Sequence, residues 1–269
     1  MKWSYIMFLP AVVSWFWALA TVILKRHMTR AQLLMSLTLF AEGFAMMVLG
    51  IFFRDRVGSL FIYDFLFEST VVICGPMFFM AVCSLTEPRG VTLAQRRVFV
   101  IPLLFILGLT VGAFLIGPRR YEEMCRLLIA NESHFIPGDA SWNYMYFWFH
   151  YLFPIVTIVM SFILLIISTV KMNRFRKRFN SYYAANMQAP PIDIKPLIVL
   201  TWYFPVLADV AVYAIDMHPL YYKYWIIVCC VLLTVLQFVF GRFVYRCDHD
   251  ARSLADYIRA QTNTNAITH

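Results

Sequence analysis

Residues Leu60 to Leu85, LFIYDFLFESTVVICGPMFFMAVCSL, decide the fold. The run is long and apolar enough to cross the roughly 30 Å hydrocarbon core of a bilayer as a helix. It nevertheless carries two carboxylates, Asp64 and Glu68, one helical turn apart. Ionisable groups inside a membrane are costly and rare, so this pair is the first functional suspect.

Outward from this run the pattern repeats. Six further apolar stretches follow the same template: Ser4 to Leu24, Ala31 to Phe53, Val98 to Ile116, Asn143 to Val170, Pro196 to Ile215 and Tyr221 to Val244. The first imitates a signal peptide, with Lys2, an apolar core and Ala18-Leu19-Ala20. The apolar run continues to Lys25-Arg26, which favours a retained helix. With 61% hydrophobic and 14% charged residues, no large soluble domain fits. The expected fold is all-α: a polytopic membrane protein with a seven-helix transmembrane bundle over residues 1–245. A short cytoplasmic tail, 246–269, is expected to be partly helical and then disordered.

The net charge of +8 is read as topological rather than as a nucleic-acid signal. Lys and Arg on the loops after spans one, three and five, together with the C-terminal segment, outnumber those on the other side more than two to one. Cytoplasmic loops are rich in these residues, so the N-terminus is placed outside and the C-terminus in the cytoplasm. The expected location is multi-pass in a bacterial inner membrane. In the longest external loop, Arg119 to Leu128 reads as an amphipathic helix lying at the interface.

With that topology, a rise of about 1.5 Å per residue gives depths. Asp64, Glu68, His150 and Asp209, from three spans, fall together in the outer leaflet, whereas Glu42 lies near the midplane. Asp64 and Glu68, at i and i+4, share a helix face. Two carboxylates so close and away from water resist ionising together, and His150 is the natural partner. Pro154, four residues after His150, removes the donor that would bond the His150 carbonyl and predicts a kink; Pro205 acts likewise before Asp209. The expectation is a ligand-binding polar pocket lined by Asp64, Glu68, His150 and Asp209. The competing reading is that these residues sit at wetted helix ends and only stabilise the bundle. Ala41, Gly43 and Ala45 beside Glu42 suit close helix approach.

The six cysteines form no C-x-x-C, and no Cys/His set has zinc spacing; no H-E-x-x-H and no Gly-rich phosphate loop occur. No metal, cofactor or catalytic activity is therefore expected. Lys171, Arg174, Arg176, Lys177 and Arg178 form a dense basic segment with Phe175 and Phe179 at i and i+4. It reads as a helix leaving the membrane along the anionic inner leaflet, in contact with lipid or a partner. Expected partners are membrane lipids and a cytoplasmic regulator or a second copy of the chain, with no direct nucleic-acid contact.

Several of these features resemble the membrane-spanning sensor region of Bacteroidetes regulators that carry an AraC-like helix-turn-helix domain. The features are the run His150-Tyr151-Leu152-Phe153-Pro154, the basic segment ending in Asn180-Ser181-Tyr182-Tyr183, Ile192-Asp193, and the inward C-terminus. The resemblance spans residues 1 to about 250 and implies signal reception outside with output through the last helix. The departure is that such regulators continue into a DNA-binding domain, which the sequence up to His269 does not contain; a detached sensor, a truncated product and a membrane protein of another role all fit this. The leading expectation is a non-enzymatic sensor for a small ligand or proton. The alternative is a small-solute or proton-coupled transporter using Glu68, His150 and Glu42 as a relay.

Overall fold

The computed structural model describes residues 5–6, 8–54, 60–87, 91–129, 135–185 and 222–247. The predicted span Pro196 to Ile215, with Asp209 and Pro205, lies outside them, as does the tail beyond residue 247. The described residues are helical and contain no strand. In chain order the elements are α1 (Phe8–Leu24), α2 (Arg30–Arg54), α3 (Leu60–Thr86), the short α4 (Leu93–Arg96) and α5 (Val100–Ile116). Next come α6 (Pro118–Ile129), α7 (Ala140–Phe147), a π-helical turn (Trp148–Leu152), α8 (Phe153–Ala185) and α9 (Tyr222–Arg246).

Among the described residues, five helical stretches are long and apolar enough to cross a membrane: Arg30–Ile51, Phe65–Thr86, Leu93–Ile116, Ile155–Ser181 and Ile227–Arg246. A sixth apolar helix, Phe8–Leu24, has 17 residues, which span about 25 Å. The described part of the protein is thus helical with membrane-embedded character; the predicted spans overlap helices there, the fifth being divided between α7, the π turn and α8, with its apolar stretch at Ile155–Ser181.

α2 packs on both α1 and α3, α9 packs on α1 and α2, and α8 packs on α3. Small residues bring α1 against α2. Gly43 faces the Trp15 ring and the Ala11 carbonyl, and a Cβ built on it would stand 3.2 Å from that oxygen. Ala45, two residues on, packs against Phe67 of α3. Gly241 of α9 lies directly against the Trp17 side chain. The small residues beside Glu42 therefore act as expected, on two different faces of α2.

Two glutamines tie the basic end of the bundle together. At the start of α2, Thr29 and Gln32 bond reciprocally, side chain to backbone, in a capping box. Thr92 and Gln95 do the same at the start of α4. Each glutamine also reaches a second element: Gln32 Nε2 donates to the Val244 carbonyl of α9 at 3.2 Å. Gln95 Nε2 donates to the Glu87 carboxylate at 2.7 and 2.8 Å.

Two expectations change. The basic segment does not leave the bundle along a leaflet, because α8 runs unbroken to Ala185. Met172, Phe175 and Phe179 are buried in a cluster with Ala31, Met35, Phe78, Leu85, Phe240 and Val244. Likewise α6 is a surface helix only on one side. Tyr121 and Met124 are fully buried against Leu109, Ala113, Trp142 and Met145 of α5 and α7. In both cases the apolar face packs on other helices of the protein.

Candidate functional site

The α3–α8 seam carries the candidate site. On α8, Phe153, Thr157, Met160, Ser161, Leu164 and Ser168 are buried in helical succession and form the face turned into the bundle. Phe153, Met160 and Leu164 pack with Val72, Phe79 and Cys83 of α3. Gly75 fixes the register: a Cβ there would lie 3.5 Å from Ser161 Oγ and 3.9 Å from Leu164. Seven residues before Gly75, on the same face, stands Glu68. Seven residues before Ser161 stands Pro154. Glu68 is therefore level with the proline and with the π turn just above it.

Glu68 is only 7% exposed. Next to it in the seam Thr157 is 1% exposed, and its hydroxyl has no hydrogen-bond partner among the described residues. Ser69 Oγ is in the same condition. Desolvated hydroxyls without partners are costly; Ser36, Ser168 and Thr169 share this condition elsewhere, but here the hydroxyls accompany a buried carboxylate, which marks this part of the seam as a place where a polar occupant fits.

The π turn has an identifiable cause. Pro154 has no N–H, and its ring would crowd the carbonyl of His150 in a regular α-helix. The chain instead widens over Trp148–Leu152, and the Phe153 N–H donates to the Trp148 carbonyl five residues back. The predicted disruption at His150 is thus present as a π turn, a device common at functional sites. Asp64 in the second turn of α3 and His150 in the π turn are fixed by their backbone positions, both toward the end of the seam above Glu68. Asp209 lies outside the described residues.

Glu42 occupies a separate place. Ala11, Met46 and Leu233 pack together on one side of it. Ala18, Leu39 and Phe240 belong to the cluster on the other. The layer between contains Ser14 of α1, Glu42 of α2 and Gln237 of α9. Ser14 and Gln237 are 0% and 1% exposed, and their side-chain oxygens have no hydrogen-bond partner among the described residues. Glu42 thus belongs to a mid-depth polar layer of α1, α2 and α9, apart from the α3–α8 seam.

Of the basic segment, Lys171 is engaged: its ammonium donates to Glu87 at the end of α3. Arg174, Lys177 and Arg178 are exposed, and Arg176 is half-buried. The sequence reading missed Thr157, Ser14, Gln237 and Glu87. Thr157 was visible as a polar residue two turns beyond His150, but hydroxyls in apolar spans commonly bond their own backbone, as Thr70 and Thr234 do here. Among the described residues, no group of three His, Cys, Asp or Glu side chains is placed to hold a metal. Comparison with protein families, with curated proteins and with solved structures found no match for this chain.

Proposed function

We propose that the chain is an integral membrane sensor that binds a small ligand or a proton in the α3–α8 seam and signals through α8. In this reading the protein is a seven-helix bundle in a bacterial inner membrane. The N-terminus is outside, and the end bearing Thr29, Glu87, Lys171 and Arg246 faces the cytoplasm. Glu68 is the principal ligand group, with Asp64, His150 and Asp209 completing the outward-facing side of the pocket. The π turn at His150 is the compliant element, since a widened turn that returns to α-geometry rotates what precedes it relative to α8.

The observation that carries this reading is the buried Glu68 carboxylate, level with the π turn of α8 in the seam that also holds the buried Thr157 hydroxyl. The opposite end of the described residues is filled mainly by Met35, Phe78, Leu85, Phe175, Phe179, Phe240 and Val244, with the buried hydroxyls of Ser36, Ser168 and Thr169 scattered near them. A carrier requires a continuous polar route through that end, and a mainly apolar filling favours reception over passage. Output then falls to the exposed Arg174, Lys177 and Arg178, which α8 carries beyond the bilayer toward a cytoplasmic regulator or a second copy.

The test is thermal stability of the purified protein across pH and a metabolite library, with Glu68→Gln and His150→Ala alongside. The expected result is a ligand- or proton-dependent stabilisation absent from both variants. Two variants merely less stable, with no response in the native protein, would reduce these residues to bundle stabilisers.

A further inference from the structure

The α1–α9 seam ends in a second feature that the sensor reading does not use. Near its basic end, Gly241 lets the Trp17 ring sit directly on the α9 backbone. Trp17 makes edge contacts with Phe16 and Phe238, at ring separations of 5.4 Å each, and a tilted contact with Tyr245 at 6.1 Å. Beyond Tyr245, Lys25 places its ammonium 4.9 Å from the centre of that ring.

Arg242 follows Phe238 by four residues and precedes Tyr245 by three, so it stands on their face of α9. Arg246 is one turn further. Both arginines are exposed, and neither has a carboxylate partner among the described residues. Phe16 and Phe238 are 59% and 47% exposed, so the apolar part of the seam is open on its outer side. One helix pair thus presents an apolar aromatic groove continued by three cations where the hydrocarbon gives way to headgroups.

We propose that this seam is a binding site for one anionic phospholipid. Arg242 and Arg246 hold the headgroup phosphate, with the Lys25 ammonium over the neighbouring Tyr245 ring adding to the positive field, and an acyl chain lies along Phe16 and Phe238. Basic pockets between helices at the cytoplasmic surface take such headgroups, and a lysine held over an aromatic ring is pre-positioned for one. The chemistry excludes a zwitterionic lipid as an equal occupant, because its choline or ethanolamine group meets cations. It also sets this seam apart from the α8 cations Arg174, Lys177 and Arg178, which have no lipid-facing aromatic groove beside them among the described residues.

The experiment titrates delipidated protein in detergent with dioleoyl phosphatidylglycerol, with dioleoyl phosphatidylcholine and with inorganic phosphate. Bound lipid is read by native mass spectrometry and stabilisation by thermal melting. The test variant is R242Q/R246Q. The control is R96Q/R97Q, an exposed basic pair at the same end of the bundle. Phosphatidylglycerol should form a single retained adduct and raise the melting temperature. The test variant should bind roughly thirtyfold more weakly, the value for two removed surface cations, and the control should match the native chain. Equal binding of phosphatidylcholine, stabilisation by phosphate alone, or equal losses in the two variants would overturn the site. Both arginines are exposed, so their replacement leaves the packed core intact.

Discussion

Lys171 of α8 donates its ammonium to Glu87, 84 residues earlier, just past the end of α3. The same carboxylate accepts two hydrogen bonds from Gln95 Nε2. The side chains of Lys171 and Glu87 are 23% and 27% exposed, so the pair is largely withdrawn from water. One acidic group thereby holds α3, α4 and α8 at a single point. Removing it with Glu87→Ala leaves a half-buried ammonium and an amide without their acceptor, at a cost of about 1–3 kcal/mol. Lys171→Met should cost less, because Gln95 still satisfies the carboxylate. In a double-mutant cycle read by denaturation in mixed micelles, the two changes should cost less together than the sum of each alone. Strict additivity would show that the pair contributes nothing to stability.

Gln32 makes a comparable double contact, closing the cap of α2 and donating to Val244. Gln32→Ala removes both at once, and the expected loss is about 1–2 kcal/mol. Gln32→Glu retains the capping acceptor but has no donor for the Val244 carbonyl. It should destabilise too, and the deficit should shrink at acidic pH as the carboxyl gains a proton it can donate. A melting curve of Gln32→Glu with no pH dependence beyond that of the native protein would remove the Val244 bond from this account.

Gly43 lets α1 come close to α2, with the Trp15 ring and the Ala11 carbonyl within reach of a Cβ built there. Trp15 cannot swing away freely, because its Nε1 donates to the Phe40 carbonyl at 3.1 Å and its ring stacks on Phe40. Gly43→Val should therefore separate the helices and cost about 1–3 kcal/mol, whereas the same change at the open position Gly138 acts only on the local turn. Comparing the melting temperatures of Gly43→Ala and Gly43→Val checks the steric origin, since the loss should grow with side-chain volume.

The helices were legible in the sequence because a bilayer-length apolar run has few alternatives, and Leu60 to Leu85 became α3 almost to the residue. The partners of each face were not. Phe175 and Phe179 are spaced for one apolar neighbour, but spacing does not say whether that neighbour is lipid or Phe78 and Phe240. Glu87 and Lys171 looked like ordinary loop charges, since their meeting depends on the packing of α3 on α8. The Thr-x-Ala-Gln boxes at Thr29 and Thr92 carried a local signal that was readable and passed unread. Of the candidate site, a carboxylate within the apolar run of α3 and the helix disruption at His150 were legible in the sequence, while the placing of Thr157 in the same seam emerged only once Gly75 fixed the register.

The last prediction concerns that disruption. Pro154 withholds an N–H from the carbonyl of His150, and the chain answers with the π turn Trp148–Leu152. Pro154→Ala restores the donor, so the turn should tighten to α-geometry. Removing one residue's worth of widening rotates everything before it by about 100° relative to α8. That rotation would turn Trp142, Met145 and Tyr146 of α7 out of their cluster with α5 and α6, so the bundle should lose stability despite the added backbone hydrogen bond. The presentation of residue 150 should change with it. In a His150→Cys background, alkylation of the thiol by a membrane-impermeant maleimide measures that presentation directly, with and without Pro154→Ala. Labelling at the native rate in both backgrounds would mean that the turn is held by packing, with Trp148 against Phe105 as its anchor, and that the proline is not its cause.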